Sequence, residues 1–259
     1  MKRPATPPDR LQFRYESDLV EALRPALSRT LFSPLVRDQI EIFSEIPAVH
    51  GIPDLAAIRF DWESVRRRSL LGIQPLTSDT EVRVVLAISN RRLTPAQISD
   101  RVGLSEEHLQ RSVLPYLTEQ GWIRKTSSGR VEKLREARNV GIRIITIEAK
   151  LRNWRSALHQ ARRQRFSADA AYIALESSRT LSIVNDIPFM AAQGIGVLSV
   201  NAETNQVSVL ARPTNSLPSG STSIGRMLIA ERCLDMWNRG EREGQIYPVF
   251  GWSRPHLQT

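Results

Sequence analysis

Between Ile142 and Ala149 the chain reads Ile-Arg-Ile-Ile-Thr-Ile-Glu-Ala, the strongest strand signal in the sequence. β-Branched residues are stiff at χ1 and pack well on a pleated surface. A strand with one wet face alternates apolar and polar residues, whereas this one is apolar almost throughout. It therefore suits a strand covered on both faces, as in a sheet with helices on either side.

The flanking segments fit such a layer. Tyr15–Leu27 has helical spacing of Leu19, Val20, Leu23 and Leu27, with Pro25 blurring its end. Arg37–Pro47 alternates around Ile40, Ile42 and Ile46, and Asp54–Phe60 forms a second strand after the turn His50-Gly51-Ile52-Pro53. After the Ile142 strand, Trp154–Phe166 carries Trp154, Ala157, Leu158, Ala161 and Arg165 along one helical stripe. Ala170–Leu175 is a short strand, and Ile195–Val200 and Gln206–Ala211 pair across a turn. Pro213–Thr222 is a Pro/Ser/Gly loop and Ile224–Asn238 a closing helix. The predicted fold is an α/β layer with a mixed sheet flanked by helices, formed by residues 1–61 and 139–259 and interrupted by a small unit at 62–138.

Charge bears on the partner. Of the 36 Lys+Arg and 27 Asp+Glu residues, 14 and 9 fall in 62–138, and 7 and 2 in 139–170. The ends are balanced, so the excess lies in the middle, as expected for a protein that meets a polyanion. Cys233, the single cysteine, excludes an internal disulfide and a cysteine-based zinc cluster. The Met1–Asp9 stretch has no apolar run of the signal-peptide kind and reads as a short tail. No apolar run is long enough to cross a bilayer. These points predict a cytoplasmic protein without membrane contact.

Three residues can do chemistry. Asp54 opens one strand, and Glu148 and Lys150 end another on a common face. Two carboxylates offer hard oxygen ligands for Mg²⁺ (or Mn²⁺), and an ammonium can orient water or stabilise an oxyanion. A Glu-x-Lys triplet is common by chance, and a strand-end ion pair would also explain it. Against that, lysine is rare here: only Lys2, Lys125, Lys133 and Lys150 stand among the 36 basic residues. Arginine is a poor substitute for a compact, tunable ammonium.

Pro53-Asp54 followed by Glu148-Ala149-Lys150 resembles the PD-(D/E)xK signature of restriction-endonuclease-like nucleases, over roughly 15–61 and 140–211. The resemblance implies Asp54 and Glu148 as metal ligands together with the Ala149 carbonyl, and Lys150 as the catalytic lysine. It implies an assisting acid on the first helix, Glu16, and a glutamine on the helix after the triplet, Gln160. Gln160 and Gln164 are one turn apart and flank the apolar stripe, so one of them could reach the site edge; ordinary surface amides are the other reading of both. The long insert between Asp54 and Glu148 departs from the family pattern.

That insert resembles a winged helix-turn-helix over 79–134. Asp79–Ser89 and Thr94–Val102 are helices, the second with Thr94 as cap and Pro95 at its first position. Ser105 caps a third helix with Leu109, Val113 and Leu117 inward and Pro115 as a kink. Trp122–Lys125 and Arg130–Lys133 form a hairpin around Ser127-Ser128-Gly129. By this resemblance His108, Gln110, Arg111 and Ser112 would face a major groove, while Arg124, Lys125 and Arg130 would meet phosphates. Arg66-Arg67-Arg68 and the series Arg152, Arg155, Arg162, Arg163, Arg165 are further phosphate candidates.

The expectation is a Mg²⁺-dependent DNA endonuclease acting on duplex DNA, in which a homodimer would supply two sites. Two other readings stay open: a catalytically inactive DNA-binding regulator on the same scaffold, and a protein-interaction module.

Overall fold

The structure is a computed structural model describing residues 12–89, 91–214 and 222–244. The expected tail, and most of the loop read between Pro213 and Thr222, lie outside the described residues.

Six strands form one mixed sheet in the order β1-β2-β5-β6-β7-β8: Ile40–Ser44, Leu55–Phe60, Gly141–Lys150, Ala170–Glu176, Ile195–Val200 and Val207–Ala211. The pairs β1/β2, β2/β5 and β7/β8 are antiparallel, and β5/β6 and β6/β7 parallel. The long β-branched strand β5 thus sits inside the sheet, where its apolar run demands. Successive residues of β2 and β5 serve opposite layers. Leu55, Ala57, Ile145, Ile147 and Ala149 pack against Leu19, Leu23 and Leu27 of helices α1 (Glu16–Leu23) and α2 (Leu27–Leu31). Ile58 and Ile144 face Ile229 and Cys233 of the last helix, α11 (Thr222–Asn238). Helix α8 (Trp154–Gln164) covers Ile173, Leu175, Ile195 and Val197 with Ala157, Leu158 and Ala161. Packing leaves no room for a side chain at Gly196: a Cβ there would lie 2.1 Å from the ring of Tyr172, its partner in register.

Several boundaries differ from the sequence reading. The strand expected from Arg37 begins only at Ile40, because Pro34–Gln39 winds as a 3-10 turn, and it ends before Glu45, whose φ is +56°. Pro25, which has no N–H to give, turns the end of α1 into a 3-10 segment, Arg24–Ala26, before α2 resumes. Two short helices, α9 (Ser177–Thr180) and α10 (Ile187–Ala192), occupy a stretch to which the sequence assigned no element.

The insert leaves the sheet at the end of β2 and returns at the start of β5. Its neck is closed by a hydrogen bond from Asp61 N to the Val140 carbonyl, 2.8 Å. It holds α3 (Trp62–Leu70), α4 (Asp79–Ile88), α5 (Pro95–Val102), and a third helical stretch of α6 (Glu106–His108), a π turn (Leu109–Val113) and α7 (Leu114–Glu119). A two-stranded sheet, β3 (Ile123–Lys125) with β4 (Val131–Lys133), follows. Helix α5 begins as expected: Thr94 Oγ1 accepts from Gln97 N at 3.3 Å, and Gln97 Oε1 accepts from Thr94 N at 3.0 Å. Pro115 does not break the third helix. The backbone widens to the π turn just before it, and Leu114 N reaches the Leu109 carbonyl.

The insert does not pack alone. Its core of Val82, Val85, Ile98, Leu109, Leu117 and Trp122 is completed by Met227 and Leu228 of α11. Arg68, expected to meet phosphate, is instead 1% exposed and pairs with fully buried Glu231 of α11 at 2.7 and 2.8 Å. The helical phase explains this: Val65 and Arg68 are three apart and both point inward. No described helix is long and apolar enough to cross a membrane.

Candidate active site

Asp54, Glu148 and Lys150 converge. In the β2/β5 register the last pair on this side is Leu55 with Ile147, so Asp54 stands level with the next residues of β5. Asp54 Oδ2 accepts a hydrogen bond from the Ala149 backbone N–H at 2.7 Å, joining the two halves of the motif. Lys150 Nζ lies 3.3 Å from Glu148 Oε1, 3.9 Å from Asp54 Oδ2 and 3.1 Å from Glu16 Oε2. Glu16 comes from the first turn of α1, across the sheet layer from α8. Three carboxylates from three elements therefore surround one ammonium.

The glutamine is the one correction in this group. Gln164, and not Gln160, reaches the site. Gln164 Nε2 donates to Glu148 Oε2 at 2.8 Å and is 2% exposed. Gln160 accepts from Ser156 Oγ on its own helix, at 3.5 Å. A signal for this was present. Gln164 lies seven residues after Ala157 and three after Ala161, on the buried stripe, whereas Gln160 is displaced from it.

The electrostatics follow from depth. Glu148 is 1% exposed. Burial, and then the neighbouring charge of Asp54, push its carboxyl from the ordinary range up to about 7, against the pull of the Gln164 hydrogen bond and the Lys150 ammonium. Burial works against the Lys150 ammonium too, but the charge of Asp54, the bond to Glu16 and the charge of Glu148 outweigh it, and its pKa is raised. One lysine thus leaves the buried Glu148, beside the partly exposed Asp54, short of positive charge.

The donor chemistry suits a hard divalent cation. Asp54 and Glu148 supply carboxylate oxygens. The Ala149 carbonyl, on the same side of its strand as the N–H that bonds Asp54, opens onto the same gap beyond the end of β2. Gln164 Oε1 is buried without a partner among the described residues, so one more acceptor remains beside Glu148. Among those residues no three His, Cys, Asp or Glu side chains form a ready metal cage. Two carboxylates and a main-chain carbonyl are what the site offers, with water left to complete a shell.

The expected nucleic-acid contacts are more mixed. His108, Gln110, Arg111 and Ser112 are all exposed on the third helix. Arg111, however, pairs with Glu107 at 2.6 Å, and Gln110 donates to Glu106 at 2.7 Å. Lys125 and Arg130 are exposed, with Arg130 Nη1 on the Arg92 carbonyl at 3.1 Å, while Arg124 pairs with Glu132 at 2.6 Å. Arg152 and Arg155 are exposed, Arg155 lying over the Trp154 ring at 4.6 Å. Arg162 and Arg165 are instead tied to Gln193.

Fold and site together define an α/β protein with a mixed six-stranded sheet flanked by helices, and a carboxylate–lysine cluster where β2 and β5 part. No protein-family model, curated protein or solved structure matches the chain.

Proposed function

We propose that this chain is a divalent-metal-dependent endonuclease of the restriction-endonuclease-like, PD-(D/E)xK type that hydrolyses phosphodiester bonds in duplex DNA, its insert serving as a winged helix that contacts the nucleic acid. The observation that carries the reading is the meeting of Asp54, Glu148 and Lys150, residues that are distant in sequence, around a single nitrogen at 3.3 to 3.9 Å.

Asp54, Glu148 and the Ala149 carbonyl would hold Mg²⁺ or Mn²⁺. Such an ion polarises a phosphate and lowers the pKa of a bound water. Lys150, steadied by Glu16, would orient the attacking water or balance the charge that builds on the phosphorus oxygens. Gln164 holds the Glu148 carboxylate in one orientation. The excess of basic residues in 62–170 would draw in a polyanion. A cut through both strands takes two such sites, which a homodimer would provide.

The test is plasmid nicking with Mg²⁺ or Mn²⁺ by the wild-type chain, Glu148→Ala and Asp54→Ala. Nicking by wild type and its loss in both variants is expected. Equal nicking by all three, or none by wild type on any DNA tried, removes the catalytic reading. A non-enzymatic DNA-binding role is favoured by one observation, that the lysine already meets three carboxylates as an ion-pair network. Calorimetric titration with Mn²⁺ separates the two: heat that vanishes in Asp54→Ala supports the enzyme, and no heat with wild type supports the regulator.

A further inference from the structure

The insert carries a second charged feature, away from the third helix and from the carboxylates. A cleft of about 600 Å³ is lined by Arg91, Arg92, Lys133, Arg135 and Arg138, with Glu132 as its one acid. It lies between the turn after α4, strand β4 and the segment leading back to β5. The turn is tight: Ser89, which lines the cleft, has φ +40°, and Arg91 N closes onto the Ile88 carbonyl at 2.8 Å. The two arginines that follow are thereby delivered to the rim.

The charges do not cancel. Both oxygens of Glu132 are taken, one by Arg92 and the other by Arg124. Among the described residues no carboxylate pairs with Arg91 or Arg135, while Arg138 borders Asp61, Glu63 and Glu136 on its other side; the Asp61 carboxyl is held low by its Ser64 hydrogen bonds and, to a lesser degree, by the Arg138 charge. Lys133 Nζ is used on the Ala137 carbonyl at 3.1 Å, and its half-buried ammonium is disfavoured by desolvation and by the Arg138 charge beside it. Converging cations of this kind repel, and a row of phosphates relieves the repulsion. Arginine forks also suit phosphate oxygens better than a point charge does.

The third helix offers the opposite. From Ser105 to Glu119 it carries Glu106, Glu107 and Glu119 against Arg111 alone, and Arg111 is held by Glu107. A helix of that balance pressed into a groove would meet phosphates with like charge on its flanks.

We propose that the insert grips the phosphate backbone of duplex nucleic acid through the Arg91–Arg92–Arg135–Arg138 cleft, and not through its third helix. This rests on the reading that the chain acts on nucleic acid, and it changes which face of the insert meets it. The cleft adjoins the start of β5 and the carboxylates its end. From Gly141, where the strand begins, to Glu148 the chain advances about 23 Å at roughly 3.3 Å per residue. The grip is therefore apart from the chemistry.

The experiment is fluorescence anisotropy of a 20-base-pair labelled duplex DNA, with EDTA present so that no step depends on metal, over a series of salt concentrations. Arg91→Glu/Arg135→Glu alters two exposed side chains, and thermal melting checks that it folds as wild type does. The expected result is a loss of affinity of about tenfold or more, and a fall of about two in the slope of log K against log salt. His108→Ala/Arg111→Ala should bind within about twofold of wild type, since it alters a face carrying no net positive charge. The proposal is overturned if the third-helix variant loses affinity and the cleft variant does not, if neither changes, or if wild type retains no duplex at low salt. If wild type nicks DNA and the cleft variant binds normally, this proposal alone fails. If the cleft variant loses binding and wild type never nicks, the catalytic reading alone fails.

Discussion

Replacing Glu148 by Gln should make the metal-free protein more stable at pH 8 while abolishing the proposed cleavage of DNA. The carboxyl is held at about 7 in the fold against 4.5 when unperturbed. A raised carboxyl pKa means that the native state binds the proton more tightly than the unfolded chain does. Stability is therefore fullest below pH 4.5, falls as pH rises from there to about 7, and is flat above. At about 1.4 kcal/mol per pH unit the loss is roughly 3 kcal/mol. This figure already includes the attraction of Lys150 and the Gln164 bond, which oppose the shift. Gln keeps the shape and can still accept from Gln164, but carries no charge to desolvate. Urea or thermal unfolding in EDTA at pH 8 should show a gain approaching that size, or roughly 5–10 °C in midpoint for a protein this large. At pH 5 the gain should shrink to under about 1 kcal/mol. An ion-pair network built for stability gives the opposite sign, since removing one member of a buried pair destabilises. A loss of stability in Glu148→Gln at pH 8, or a gain of equal size at both pH values, would refute the argument that the site is short of positive charge.

The two glutamines of α8 should separate cleanly. Gln164→Leu leaves Glu148 Oε2 without its donor, which should cost about 1–3 kcal/mol at pH 8, less at pH 5, and depress nicking; Gln160→Ala should leave both unfolding and nicking close to wild type. The buried Arg68–Glu231 pair gives a test of how insert and sheet are joined. Arg68→Ala strands a fully buried carboxylate and removes the contact with the Trp122 ring, so urea unfolding should show a loss of about 3–5 kcal/mol, most of it recovered in Arg68→Met/Glu231→Leu. No recovery in the double variant would mean that the pair is worth more than its desolvation costs.

What could be read from the chain divides along local and non-local lines. Strand β5, the β1–β2 hairpin, the capped helix α5 and the β7–β8 hairpin are written in contiguous residues, and each formed close to where its pattern places it. Helices α9 and α10 are not legible, because each is only a turn or two long and Phe189 in α10, with Leu181 and Val184 between the two, is exposed and blurs any apolar period. Arg68 looked like one of three equivalent arginines, since a buried partner on a helix some 160 residues later has no local trace. The family resemblance points to Gln160, whereas the helical stripe carries Gln164, which is buried.

The long separation of Asp54 from Glu148, the feature that most weakens the family resemblance in sequence, has a simple geometric resolution. β2 and β5 are antiparallel partners, with Leu55 opposite Ile147 at one end and Phe60 opposite Gly141 at the other. In a plain hairpin a short turn would join Phe60 to Gly141. Here residues 61–140 stand in its place, closed at the neck by Asp61 N on the Val140 carbonyl. The splice lies at the end of the ladder away from the carboxylates. Loop-closure cost grows only with the logarithm of length, and the ladder sets the relative position of Asp54 and Glu148 whatever fills the turn. The chain thus places its second basic surface at the start of a strand whose far end holds the carboxylates, some 23 Å along it at roughly 3.3 Å per residue, without loosening the contacts that bring two acids and a lysine together.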